Sequence, residues 1–250
     1  MTKTALITGA TSGIGRATAH EFAKHGIQLI LCGRRQERLD TIQSALSRQT
    51  DVHTLNFDVR DKTAVLEAID SLPKPFRKID ILINNAGNAH GLDPIQSGNL
   101  EDWDAMMDIN VKGLLYVSKA VIPQMTDRMD GHIINIGSSA GKEVYPKGNV
   151  YCASKHAVIA ITDGMRIDLN PYNIKVTAIN PGLVETEFSK VRFKGGSAAD
   201  NVYKGYKALQ AEDIADIIYF AITRPNHVNI ADLLVFPTAQ ANSVTVKKEF

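Results

Sequence analysis

The chain is poor in the residues that mark specialised classes of protein. Only two of its 250 residues are cysteine, Cys32 and Cys152. Two thiols in a chain of this length make no disulfide framework. No His, Cys, Asp and Glu cluster has structural-zinc spacing, so no metal is expected. Aromatic residues make up 6%, with one tryptophan, and the formal net charge is +1. With neither a basic stripe nor an aromatic platform, nucleic acid is not an expected partner. No apolar run approaches a bilayer-spanning length. Met1-Thr2-Lys3 leads directly into a strand-like run rather than a signal sequence. No membrane association and a cytoplasmic location are therefore expected. Internal repeats and low-complexity linkers are also missing, which leaves a single domain over residues 1–250.

What is present is ordinary globular composition, 44% hydrophobic and 22% charged, arranged in a regular alternation. Short β-rich runs predict strands over 4–8, 28–32, 52–57, 79–84, 132–136, 175–179 and 233–236. Longer helical patterns predict helices over 14–24, 36–47, 62–71, 100–128, 150–169 and 211–223. Strand–helix alternation implies right-handed crossovers and a parallel sheet covered on both faces, an α/β fold. Residues 88–98 and 185–205 lack periodicity. Both follow strand ends where open α/β sheets bind ligands, so both are expected to cover a substrate.

The first strand runs into Thr8-Gly9-Ala10-Thr11-Ser12-Gly13-Ile14-Gly15 and then a helix. Glycines permit a tight turn and close approach of backbone to a pyrophosphate, and the helix N-terminus supplies N–H donors. The setting predicts a dinucleotide site built from Gly9, Thr11, Ser12, Gly13, Ile14 and Gly15. After the second strand the first charged residues are Arg34 and Arg35, with Arg38 one turn on. A guanidinium suits a 2′-phosphate, whereas an acidic residue here would suit a ribose hydroxyl. NADP is therefore the expected cofactor. Asp58, beside Val59 at the end of the third strand, could accept from the adenine amino group or cap the next helix.

Tyr151 and Lys155 stand four apart in a helical pattern, so both emerge on one helix face. A fixed cation beside a phenol favours the phenolate, making the pair a proton donor and acceptor near neutral pH. Ser138, thirteen residues upstream, ends a strand-like run and could hydrogen-bond the reacting oxygen. Cys152 is read as a packing residue. His90 and His156 are not expected to be ligands.

Thr8–Gly15, Asn84-Asn85-Ala86-Gly87, Asn110, Ser138, Tyr151, Lys155 and Pro181-Gly182 occur in the order and spacing of the short-chain dehydrogenase/reductase family. The chain resembles that family along essentially its whole length. The resemblance implies a Rossmann-type, doubly wound, seven-stranded parallel sheet in the order 3-2-1-4-5-6-7. It also implies a hydride-transferring enzyme that forms homo-oligomers, with a homotetramer expected. Tyr151 would be the acid/base and Ser138 would orient the substrate oxygen. Lys155 would lower the Tyr151 pKa and hold the nicotinamide ribose. Asn110 would support a water-linked proton path to Lys155, although it could merely satisfy backbone groups. Asn85, Ala86 and Gly87 would contact the adenosine ribose, or form the turn after the fourth strand. Pro181, Gly182, Val184 and Thr186 would flank the nicotinamide.

A narrower resemblance lies in residues 33–39, 148–151, 188–195 and 227–230. These stretches are similar to the NADP-dependent 3-hydroxy acid dehydrogenases, which act on L-serine, L-allo-threonine and related acids. Sulfoacetaldehyde reductases look similar too. A small acidic substrate needs a cation, and Arg192 is the first candidate because its planar fork can hold a carboxylate or sulfonate by two bonds. Lys142 is the second. The competing reading of another class is a non-catalytic NADP-binding sensor, against which Asn110, Ser138, Tyr151 and Lys155 together argue.

Overall fold

The first strand, β1 (Thr4–Thr8), is buried at every position, which requires cover on both sides of its sheet. Side chains alternate between faces along a strand. Ala5 and Ile7 accordingly enter one core cluster and Leu6 another. The computed structural model describes residues 2–249. It shows how each cluster is closed.

The chain continues through α1 (Gly13–Lys24), β2 (Gln28–Gly33), α2 (Gln36–Leu46), β3 (Val52–Asn56), α3 (Lys62–Asp70) and β4 (Ile81–Asn84). It then runs through α4 (Leu100–Met107), α5 (Leu114–Arg128), β5 (Gly131–Ile136), α6 (Asn149–Leu169) and β6 (Ile174–Pro181). The last part holds β7 (Val184–Glu185), α7 (Phe188–Arg192), α8 (Ala198–Asn201), β8 (Leu209–Gln210), α9 (Ala211–Ile222) and β9 (Asp232–Val235). Seven strands form a parallel sheet in the order β3-β2-β1-β4-β5-β6-β9. This is the expected order, with β9 as its seventh strand. Phe22 of α1, Leu39 of α2 and Ile218 of α9 close one face. Val65 of α3, Val121 and Met125 of α5 and Leu169 of α6 close the other.

Strand order reverses between β1 and β4, which opens a crevice at the carboxyl ends of the strands, where such sheets bind ligands. Two findings depart from the sequence expectation. The helix expected over 100–128 is interrupted by a π-helical stretch, Asp108–Gly113. The aperiodic residues 185–205 contain α7 and α8, and β7 pairs in parallel with β8 from further along the chain.

Candidate active site

The crevice is a cleft of about 740 Å³, and its floor begins at the glycine turn. Gly9 and Gly13 have positive φ, +65° and +50°, where a side chain would be strained. A Cβ on Gly15 would lie 2.5 Å from both the Gly9 carbonyl oxygen and Asn85 Nδ2. Gly15 therefore packs behind the turn, while Gly9, Thr11, Ser12, Gly13 and Ile14 face the cleft. Asn85 braces the turn, donating from Nδ2 to the Thr8 carbonyl at 2.9 Å. The Thr8 hydroxyl accepts from the backbone N–H of Asn85 and of Ala86, each at 3.0 Å. Asn85, Ala86 and Gly87 thus form the turn after β4 and also line the cleft. The first turn of α1 carries no acidic residue, and Ser12 makes no side-chain cap. The helix N-terminus is left to an outside anion. These features fit a dinucleotide pyrophosphate.

Basic side chains stand at the far end. Arg34 donates from Nη1 to Asp58 at 3.2 Å. Arg35 donates from Nη2 to the Thr11 and Ser12 hydroxyls at 2.9 and 3.0 Å. Arg38 lies one turn along and outside the cleft lining, with Nη1 on Glu187 at 2.9 Å. Asp58 also accepts from the Arg60 guanidinium at 2.7 Å. The cap of α3 is Asp61 rather than Asp58, because Asp61 accepts from Ala64 N–H at 3.0 Å. Val59 lines the cleft beside Asp58.

The opposite end is built by β5, α6 and the segment after β6. Ser138 follows β5 in extended backbone and caps a short 3₁₀ turn, its oxygen accepting from Ala140 N–H at 3.1 Å. Ser138 lines the cleft beside Tyr151. Tyr151 and Lys155 occupy the first two turns of α6 and are 8% and 7% exposed. Lys155 Nζ donates to the Ile136 carbonyl at 3.0 Å. Burial brings the Lys155 ammonium down to about 8. Burial, together with Tyr145, pushes the Tyr151 phenol above its ordinary value, and Ser138 and the Arg192 charge pull it back. Desolvation is thus the largest influence on both groups, and against the sequence expectation the Tyr151 phenol stands raised rather than lowered by Lys155.

Asn110 lies in the π-helical stretch, 2% exposed. Its Nδ2 donates to the Asn88 carbonyl and to Ser154 Oγ, and its Oδ1 accepts from Asn88 N–H at 2.8 Å. The side chain sits behind the cleft rather than in its wall, tying the segment after β4 to α6. A Cβ on Gly87 would come within 3.1 Å of Asn110 Oδ1 and 3.5 Å of Lys155 Nζ, so glycine keeps this corner open.

Pro181 ends β6, and Gly182 N–H donates to the Val235 carbonyl at 2.7 Å. Pro181, Gly182, Val184 and Thr186 all reach the cleft. Thr186 faces Gly13 across it, at 3.2 Å from the position a Gly13 Cβ would take. Beyond, α7 brings Phe188 to a ring-centre distance of 5.7 Å from Tyr151. Arg192 ends α7. Its Nε donates to the Gly91 carbonyl at 3.1 Å, its Nη1 to the Tyr145 hydroxyl at 2.9 Å, and its carbonyl accepts from Gly91 N–H. Its guanidinium carbon lies 5.4 Å from the Tyr151 ring centre. Lys142 instead pairs with Asp232 at 2.7 Å, away from the cleft.

Sequence reasoning missed Tyr145, Phe188, Tyr203, Gln240 and Ser243, which complete this wall. An aromatic residue six places before Tyr151 was a usable signal for Tyr145. Gln240 and Ser243 gave none, since only the return of the chain after β9 brings them here.

The short chain dehydrogenase family model matches residues 3–195. The chain belongs to the short-chain dehydrogenase family. As a family member it is 47% identical over 243 residues to sulfoacetaldehyde reductase 2 of Chromohalobacter salexigens, covering 96% of each chain. It is 45% identical over 238 residues to the NADP-dependent 3-hydroxy acid dehydrogenase YdfG of Salmonella typhi, covering 94% of this dehydrogenase and 95% of that one. Among solved structures, the closed form of serine dehydrogenase complexed with NADP+ superposes with a TM-score of 0.92 at 42% identity, covering 98% and 100% of the two chains. Among the described residues no group of three or more His, Cys, Asp or Glu could hold a metal, and no helix is long and apolar enough to cross a membrane.

Proposed function

We propose that this dehydrogenase is an NADP-dependent oxidoreductase of small 3-hydroxy acids. It would convert the C3 hydroxyl of an L-serine, L-allo-threonine or 3-hydroxypropionate type of substrate to a carbonyl, or the reverse. The cofactor, when bound, would accept the hydride as NADP+ or supply it as NADPH. Tyr151 takes or returns the proton at the substrate oxygen, and Ser138 donates a hydrogen bond that orients that oxygen. Lys155 supplies positive charge beside Tyr151 and holds the nicotinamide ribose. Asn110 acts through Asn88 and Ser154 as a positioning residue.

The observation that carries the substrate class is the cation beside the acid/base. Arg192 reaches within 5.4 Å of the Tyr151 ring centre, and its Nη2 makes no hydrogen bond among the described residues. One small molecule can therefore place its oxygen at Tyr151 and its anionic group at Arg192. Arg34 and Arg35, with Arg38 behind them, favour the 2′-phosphate of NADP.

A sulfonate satisfies the same guanidinium, and the likeness to a sulfoacetaldehyde reductase supports a second reading, reduction of sulfoacetaldehyde. A spectrophotometric screen with NADP or NADPH separates the two. L-Serine, L-allo-threonine and 3-hydroxypropionate are compared with sulfoacetaldehyde by kcat/KM. Preference for the carboxylic acids supports the first reading, and preference for sulfoacetaldehyde replaces it with the second. The reading also includes a homo-oligomer, with a tetramer expected, which light scattering tests.

A further inference from the structure

We propose that Glu187 sets the affinity and selectivity for NADP by occupying, in the free protein, the arginines that a 2′-phosphate takes. The inference rests on the reading of Arg34, Arg35 and Arg38 as the 2′-phosphate site. Glu187 lies in the segment after β6, about 150 residues along the chain from these arginines. Its Oε2 meets Arg35 Nη1 at 3.2 Å, and both carboxylate oxygens meet Arg38 Nη1 at 2.9 Å. It precedes α7, yet its side chain makes no cap there. The carboxylate is committed across the cleft instead. Its neighbour Thr186 already stands against Gly13 of the glycine turn.

The other terminal guanidinium nitrogen of Arg35, Nη2, already donates to Thr11 and Ser12. A phosphate approaching Nη1 of Arg35 or of Arg38 therefore meets a donor already turned to a carboxylate. Two anions at one place also repel. NADP binding becomes an exchange, in which the phosphate gains the arginines and Glu187 gives them up. NAD carries a hydroxyl at this position and leaves the Glu187 pairs in place. The negative charge of Glu187 therefore lowers NADP affinity without touching NAD affinity, and so narrows the difference between them. The side chains of Arg35, Arg38 and Glu187 are 44%, 45% and 45% exposed. Solvent and salt screen such pairs, so the effect is modest and depends on ionic strength.

The test is titration of NADP and of NAD into the purified full chain, by calorimetry, at low and at high salt. Glu187→Gln keeps the shape of the side chain and removes its charge. It is expected to bind NADP up to about fivefold tighter than the unmodified protein at low salt. NAD affinity stays unchanged, and the NADP gain shrinks at high salt. Glu187→Ala shifts NADP in the same direction. Unchanged or weaker NADP binding in both variants overturns the proposal, as does an equal gain for NAD. The double variant Arg34→Ala, Arg35→Ala separates this from the reading beneath it. If that variant loses NADP and NAD alike, the arginine site itself is wrong. If it loses NADP selectively while Glu187→Gln changes nothing, only the role of Glu187 fails.

Discussion

Arg192 places its guanidinium carbon 5.4 Å from the centre of the Tyr151 ring, although the two residues lie 41 positions apart in the chain. Tyr151 belongs to α6, whereas Arg192 ends α7 in the segment after β6. Gly91 and Tyr145 hold the guanidinium there. Tyr151, the proposed proton-transfer group, and a fixed cation thus share one wall of the cleft.

Tyr151→Phe removes only the hydroxyl and keeps the ring that packs against Phe188. Cofactor binding should survive, while kcat should fall by about 10²–10⁴-fold, the usual contribution of a general acid–base group. Stopped-flow turnover and a cofactor titration on the same preparation check both halves. Turnover near that of the unmodified enzyme would remove Tyr151 from the chemistry.

Arg34 and Arg35 stand together where the cleft meets the start of α2. Replacing both by Ala should weaken NADP by at least about tenfold, the scale of a lost charge-assisted contact. NAD should change little, because its ribose hydroxyl needs no cation. Calorimetric affinities for the two cofactors give the answer. Equal losses would place the 2′-phosphate elsewhere.

Lys155 gives a pH prediction. Burial lowers its ammonium from 10.5 to about 8. Between those values the unfolded chain binds more protons than the folded one, so stability rises with pH across that window. Below about pH 8 the buried charge costs the fold its full penalty, on the order of 3 kcal/mol. Lys155→Met should therefore show its greatest relative melting-temperature gain at pH 7. That gain should shrink as pH rises towards 10.5. A pH-independent difference between the two proteins would contradict the burial account.

Much of this architecture was legible because parallel strands and amphipathic helices leave strong periodic patterns. The strand over 4–8 falls where the sequence placed it, as does the start of the helix over 36–47. The glycine turn was legible because its spacing reports backbone geometry directly. The π-helical stretch around Asn110 was not. Leu100 to Arg128 keeps helical composition throughout, and the irregularity shows only in the tertiary bonds of Asn110 to Asn88 and Ser154. The region between β6 and α9 was hidden for a related reason. Val184–Glu185 is too short to read as a strand, and its partner Leu209–Gln210 lies beyond two short helices. The engagement of Arg38 by Glu187 was invisible as well, since exposed charges carry no periodic signature.

The most direct test of the central claim compares an acid with its neutral counterpart in one pair of enzymes. 3-Hydroxypropionate and its methyl ester share the reacting hydroxyl and differ in the charge offered to Arg192. kcat/KM for each is measured with NADP, in the unmodified enzyme and in Arg192→Ala. The unmodified enzyme should prefer the acid. In Arg192→Ala the acid should lose roughly 1.5–3 kcal/mol of transition-state stabilisation, mainly as a raised KM, the worth of hydrogen bonds to a charged group. The ester should scarcely change, and Arg192→Lys should recover only part of the loss. Equal losses on acid and ester, or none on either, would contradict the account of Arg192 as the anchor of an acidic substrate beside Tyr151.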